Sequence, residues 1–278
     1  MAIDHRQDRH GNTAGPQPTT DWVEFETHEY ARGDQVFGYV LSVVILIVTS
    51  PLILLAFLAV KLTSRGPIIY SQVRLGRHGR PFTIYKIRSM HDNCEGASGP
   101  QWSTAGDPRV TPVGRILRVT HLDELPQLWN VLRGDMTLVG PRPERPEFAA
   151  KLELAIPHYA DRTQVLPGLT GLAQIQLPPD TDLESVRRKL VCDLEYMDLR
   201  NPWLDVRVLV ATATGVVGIP FYWVGFLLRI PSVDEIEQGA AAGFSHPPAL
   251  ERGASLGVAR SDEVSNSVVV PTAQSQLA

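Results

Sequence analysis

Between Val36 and Val60 the chain carries no charged residue, and a run of that kind leaves few folds open. At 1.5 Å per residue, about 25 helical residues reach roughly 37 Å, more than the ~30 Å of bilayer hydrocarbon. On hydropathy alone the segment reads as an ordinary spanning helix. Pro51, following Ser50, falls past its middle, where a proline removes a backbone hydrogen bond and kinks a helix. From Lys61 to His91 every charged residue is basic: Lys61, Arg65, Arg74, Arg77, Arg80, Lys86 and Arg88. A basic run beside an apolar segment marks a cytoplasmic flank facing anionic lipid.

The rest of the chain divides around this run. Residues 1–35 are polar and rich in Asp, Glu, Gly and Pro, unlike a signal peptide, and are expected to be disordered, as are 238–278. A soluble domain is expected over 61–237. Residues 68–73 and 82–87 read as strands around a turn containing Gly76, His78 and Gly79. A loop covers His91 to Pro108, then a helix leads to Arg118, and a strand from Met136 to Val139 ends in Gly140-Pro141-Arg142-Pro143. Glu147–Ala155 and Leu183–Met197 read as helices, so the fold class is α+β rather than a doubly wound sheet. The uncharged run 208–228 is interrupted by Gly215, Gly218 and Pro220. With Phe221-Tyr222-Trp223 it suits an amphipathic element lying in the membrane interface. The net charge of −4 gives no reason to expect nucleic acid, because phosphate-backbone binders need a concentrated basic surface. Two cysteines far apart, Cys94 and Cys192, without nearby His or Cys partners, point to free thiols rather than zinc.

Chemistry concentrates between Thr120 and Pro143, T-H-L-D-E-L-P-Q-L-W-N-V-L-R-G-D-M-T-L-V-G-P-R-P. Leu125, Leu128, Trp129 and Leu132 recur at helical spacing, and Pro126 suits a first turn. Asp123 and Glu124 then sit at a helix start, where backbone N–H groups favour an anion. Arg115, Arg118, Arg133, Arg142 and Arg145 are close in sequence to offset the carboxylates. The plainer reading of the pair is capping, since Thr120-x-x-Asp123 fits a capping box. Pro141 and Pro143 frame Arg142 rigidly, as a phosphate clamp requires. Lys86 and Arg88 alternate on one strand face, both toward the site or both toward lipid headgroups.

This segment resembles the signature of the bacterial sugar transferases, the monotopic phosphoglycosyl transferases. G-P-I-I-Y-S-Q-V-R-L-G-R at 66–77, Y-K-I-R-S-M at 85–90, D-P-R-V-T-P-V-G at 107–114, P-G-L-T-G-L-A-Q at 167–174 and D-L-E-Y at 193–196 follow the family's order and approximate spacing. Together they cover most of residues 36–214.

The resemblance implies a small cytosolic catalytic domain and a re-entrant helix that breaks at Ser50-Pro51 and returns to the same membrane face. It implies transfer of a sugar 1-phosphate from a UDP-sugar to undecaprenyl phosphate at the cytoplasmic face of the bacterial inner membrane. Asp123 would be the nucleophile and Glu124 its partner, the two holding Mg²⁺. Arg118, Arg142, Lys86, Arg88, Pro141 and Pro143 would form the phosphate and substrate contacts. Membrane lipids are further partners, nucleic acid is not, and a homo-oligomer is compatible with the chain. Three departures stand out. Asp34, Gln35 and Gly38 occupy the place of a Lys-Arg-x-x-Asp, Leu166 replaces an arginine, and Gln176-Leu177-Pro178 replaces an Asn-Gly-Arg. The last two touch groups expected to recognise nucleotide or sugar. Two rivals follow from them: a catalytically weakened, membrane-anchored binding or regulatory paralogue, and a membrane-anchored phosphohydrolase.

Overall fold

The computed structural model describes residues 32–96, 99–104 and 106–241. The expected tails lie outside these residues except for their inner ends, which are helical. The apolar run becomes α1, Arg32–Thr63, four residues longer at its start than the uncharged stretch. It is long and apolar enough to cross a membrane. The backbone stays helical through Pro51, where a break was expected. Pro51 has no N–H to give the Ile47 carbonyl, and the Ser50 hydroxyl donates to that oxygen instead at 2.8 Å.

Most side chains of α1 face outward, among them Val40, Val44, Ile47, Val48, Leu54, Leu55, Leu58 and Leu62. The remaining stripe packs on the globular body at both ends. Leu41, Ile45 and Leu46 pack against the main core, and Ala56 and Val60 are buried with Ile87 and Leu117.

After α1 the chain forms the expected hairpin, β1 (Ile69–Leu75) antiparallel to β2 (Pro81–Ile87), with Tyr70 opposite Lys86. Its turn is a single 3₁₀ turn in which His78 and Gly79 both have positive φ. Then come α2 (Pro112–Val119), a 3₁₀ turn (Leu122–Gln127), α3 (Leu128–Leu132) and β3 (Thr137–Val139). α4 spans Pro146–Ala155, and β4 (Gly168–Thr170) pairs in parallel with β3. This second small sheet was not expected. Its two strands approach closely because Gly140 and Gly168 lack side chains: a Cβ on Gly168 would lie 2.1 Å from Gly140 N.

The C-terminal half is helical: α5 (Leu183–Leu199), α6 (Pro202–Val216), α7 (Phe221–Leu228) and α8 (Val233–Ala241). α8 carries the folded region past the expected boundary at 237, because Ile236 is buried in the main core and Arg188 pairs with Glu237 at 2.6 Å. The main core joins α3, β3, β4, α5, α6 and α7 around Leu128, Val139, Leu172, Tyr196, Leu204 and Val208. Each such fully buried side chain contributes about 1.5–3 kcal/mol relative to leaving it in water. Along 208–228 the uncharged run is two helices separated at Gly218, and Val217, Tyr222, Trp223, Phe226 and Leu227 are exposed together. Mixed helices with two small sheets give the expected α+β class.

Candidate active site

The carboxylates owe their position to an abrupt turn after α2. Thr111 caps α2, its hydroxyl accepting from Gly114 N at 2.9 Å. A Cβ on Gly114 would fall 1.9 Å from the Ser89 carbonyl oxygen, so only glycine lets α2 lie this close to the end of β2. Thr120 closes α2, its hydroxyl donating back to the Ile116 carbonyl at 2.8 Å. That interaction replaces the capping box expected with Asp123. His121 then takes the left-handed conformation (φ 55°, ψ 14°), sparsely populated by non-glycine residues. The chain reverses into the 3₁₀ turn that carries Asp123, Glu124 and Pro126. Pro126 offers no N–H to the Leu122 carbonyl, so an α-helix starting at the carboxylates gives way to the tighter turn. The expected apolar face is altered accordingly: Leu128 is buried, but Trp129 is 56% exposed and Val131 takes the inward place.

Asn130 locks this turn to the hairpin. Its amide nitrogen donates to the Thr83 carbonyl at 2.7 Å and its oxygen accepts from Tyr85 N at 3.3 Å. One side chain thus imitates a neighbouring strand along the free edge of β2. The next residue on that strand, Lys86, reaches Glu124 Oε1 at 2.7 Å.

Glu124 is clamped a second time, by Arg142 Nη2 at 2.7 Å to the same oxygen. Burial would raise its pKa, but the charges of Arg142 and Lys86 outweigh that and hold it well below the usual carboxylate range. The Arg142 guanidinium is correspondingly fixed in its charged form by Glu124. For Lys86, burial prevails over the attraction of Glu124 and lowers its pKa. Asp123 has the opposite environment. It is buried, its side chain makes no hydrogen bond or ion pair among the described residues, and burial plus the neighbouring Glu124 charge push its pKa up to about 6. Two adjacent carboxylates are therefore held apart in character, one ionised and clamped by cations and one desolvated with a raised pKa.

Arg118 faces this pair from α2, held by Ser89 Oγ at 2.9 Å and Ser103 Oγ at 2.7 Å, and it lowers the Asp123 pKa. Pro141 and Pro143 are buried on either side of exposed Arg142, their carbonyls accepting from Gly168 N and Arg74 Nη1. Lys86 and Arg88 do not share a destination. Lys86 enters the site, while Arg88 turns to Ser64 at the end of α1, with Nη2 bonding its carbonyl at 3.0 Å and its hydroxyl at 2.8 Å. Arg133 pairs with Asp135 and Arg145 with Glu95 instead of joining the carboxylates. Gln176, expected near substrate recognition, binds the chain before α8 through the Pro231 carbonyl and Val233 N. Ser89, Ser103 and Asn130 complete the surroundings. Ser89 and Asn130 lie inside the motifs, but nothing in their local pattern announced contacts across 29 or 47 residues.

A desolvated carboxylate, a neighbour neutralised by a lysine and an arginine, and a further arginine across from them make a cluster whose charges suit a phosphate ester, on a body with a broad apolar outer face. Comparison with known proteins narrows that class. The family model for bacterial sugar transferases matches residues 30–218. The chain is 43% identical to a UDP-glucose:undecaprenyl-phosphate glucose-1-phosphate transferase of Caulobacter vibrioides, over 66% of this chain and 69% of that one. It is 39% identical to an undecaprenyl-phosphate glucose phosphotransferase of Komagataeibacter xylinus, over 70% of this chain and 36% of that one. A UDP-N-acetylgalactosamine-undecaprenyl-phosphate N-acetylgalactosaminephosphotransferase of Aeromonas hydrophila shares 37% identity over 76% of this chain and 48% of its own length. The chain thus spans less than half of the last two relatives. It belongs to the bacterial sugar transferase family, enzymes of the phosphoglycosyl transferase type.

Proposed function

We propose that the protein transfers a sugar 1-phosphate from a UDP-sugar, of a hexose or N-acetylated hexose, to undecaprenyl phosphate, starting a polysaccharide or glycoconjugate. The observation that carries this reading is the contrast between unpartnered Asp123 and doubly clamped Glu124. A carboxylate nucleophile divides the reaction into two displacements at one phosphorus. An Asp123 oxygen attacks the phosphorus next to the sugar, and the bond to the departing UMP oxygen breaks, leaving an aspartyl phosphosugar. An oxygen of the lipid phosphate then attacks the same phosphorus and expels the Asp123 carboxylate. Lys86, Arg118 and Arg142 offset the negative charge brought in by diphosphate and lipid phosphate. Glu124 orients Lys86 and Arg142 around the reacting group.

The donor set suits magnesium. Among the described residues the Asp123 side chain has no partner and Glu124 Oε2 has a 3.5 Å contact with Arg142, so both can offer hard oxygen ligands. No cluster of three or more His, Cys, Asp or Glu side chains occurs among the described residues, so substrate oxygens would supply the other ligands. Bound there, Mg²⁺ would neutralise charge on the diphosphate.

The re-entrant reading, with both flanks of α1 on the cytoplasmic face of the inner membrane, draws support from packing. Ser42 and Val60 are both buried within one globular body. Eighteen residues of helix separate them by about 27 Å, nearly the ~30 Å hydrocarbon thickness. A spanning path would pull one of these ends away from the body that buries it. What supports placing both flanks on one face is this packing alone, since the helix continues through Pro51.

Purified protein, undecaprenyl phosphate and a panel of radiolabelled UDP-sugars test the reaction. Lipid-linked diphosphate sugar with equimolar UMP is the expected product, and mass spectrometry after a chase without acceptor should find the sugar phosphate on Asp123. Free sugar phosphate in place of the lipid product identifies a phosphohydrolase. No turnover with any donor identifies a binding paralogue.

A further inference from the structure

The D-L-E-Y segment at 193–196 lies on α5, away from the carboxylates, and the chemistry above gives it no task. Asp193 is buried and meets Arg162 at 2.6 Å. Arg162 is itself 9% exposed and lies over the Tyr159 ring, with Nη1 donating to the Tyr159 hydroxyl at 2.7 Å. Its Nη2 also donates to the backbone carbonyl of Arg142 at 3.0 Å.

That carbonyl belongs to a turn with few donors of its own. Pro141 and Pro143 have no N–H, so the turn must be held largely through its oxygens. Pro141 O accepts from Gly168 N at 2.9 Å and Pro143 O from Arg74 Nη1 at 3.1 Å. Arg162 supplies the donor between them, at the residue whose side chain grips Glu124. A buried ion pair is a poor source of stability, because desolvating two charges offsets most of their attraction. A well-attested use for one is to specify an arrangement.

We propose that Asp193 and Arg162 are positioning residues that fix the Arg142 backbone, and through it the Arg142–Glu124 contact. The proposal rests on reading the Asp123–Glu124 cluster as the reacting site. Asp193 orients the guanidinium, Arg162 holds the Arg142 carbonyl, and the two prolines pass that restraint to the Arg142 side chain.

The test uses the full chain with Arg162→Met and Asp193→Leu combined, which removes both charges and leaves no lone buried ion. Asp193→Asn serves as a second, milder variant. Hydrogen exchange read by mass spectrometry should rise about five- to tenfold in peptides covering residues 136–146, as expected when a carbonyl loses its donor. Peptides from α2 and α7, which make no hydrogen bond to residues 136–146 among the described residues, should exchange as in the parent. Unchanged exchange at 136–146 in both variants, or an equal rise across the whole domain, overturns the proposal. UMP release supplies the second arm. The double variant should lower kcat in the parent but cause no further loss in an Arg142→Ala background, whereas equal losses in both backgrounds would place its effect elsewhere. If Arg142→Ala itself turns over at the parental rate, the assignment of the site fails while the exchange result still decides the positioning role.

Discussion

Lys86 Nζ and Glu124 Oε1, 38 residues apart in sequence, stand 2.7 Å apart, and Arg142 Nη2 meets the same oxygen at the same distance. Asp123, one residue away, has no such partner among the described residues. Two of the nearby cations are thus engaged by the neighbour, while Arg118 acts on Asp123 only through its field. Asp123 keeps a desolvated carboxylate outside any ion pair among the described residues, which under the proposed mechanism leaves it available to the incoming phosphorus.

Asp123→Asn is expected to abolish UMP release while leaving the protein folded and bound to membranes. Retained turnover in that variant would remove the covalent route.

The same substitution should stabilise the fold at neutral pH. Between the ordinary value of 3.8 and about 6, the folded state keeps a proton on Asp123 that the unfolded chain has lost. Stability therefore falls as pH rises through this window, by up to about 3 kcal/mol for a two-unit shift. Thermal melts should show Asp123→Asn above the parent at pH 7.5 and level with it near pH 3.5. A parental melting point at pH 7.5 would mean that Asp123 is not desolvated.

Turnover should track ionisation of the same group. The rate should decline as pH drops through about 6, because the protonated carboxyl cannot attack phosphorus. A flat rate between pH 5 and 7 would argue against Asp123 as nucleophile.

Glu124→Gln leaves Lys86 and Arg142 facing a neutral amide. Breaking a buried pair from one side costs about 3–5 kcal/mol, and partial exposure reduces the figure here to roughly 2–4. The depressed Glu124 pKa means that this contribution is present above its ordinary value of 4.5 and is lost as pH falls below it. The stability gap between parent and variant should accordingly close in acid. Turnover should fall severely with an altered magnesium titration; a normal rate with an unchanged titration would reduce Glu124 to a structural residue.

Topology is open to labelling. Cysteines at positions 27 and 63, in a chain lacking Cys94 and Cys192, should both resist an impermeant thiol reagent in intact cells and both react once cells are opened. Pro51→Leu should leave this pattern unchanged, because packing at both ends of α1, not a break at Pro51, carries the one-face placement. Outside labelling of position 27 without that substitution would mean that α1 spans.

The sequence made the long helix, the hairpin, α2, α4 and α5 legible, because each is set by local periodicity or by turn residues. It also placed Asp123, Glu124, Arg118, Arg142 and Lys86 within one site through the family motifs. The 3₁₀ turn was hidden because Pro126 suits a first α-helical turn equally well. β4 escaped notice because three residues in a parallel pair leave no periodic signal, only the glycines that let Gly140 and Gly168 meet. Strand alternation gave Lys86 and Arg88 one shared face, but β2 ends at Ile87, and Arg88 is free to turn toward Ser64. Contacts such as Arg162 to the Arg142 carbonyl depend on packing between distant elements, which no window of sequence contains.

The outward apolar side of α1 has a kinetic meaning. An enzyme held in a plane with its lipid acceptor meets that acceptor by lateral search, so the quantity governing the second displacement is the acceptor's surface density, not its bulk molarity. Adding inert lipid or detergent at fixed total acceptor should slow the reaction by dilution within the surface. The nucleotide sugar, arriving from water, should keep an ordinary molar dependence. The two substrates of one active site would then be counted in different dimensions.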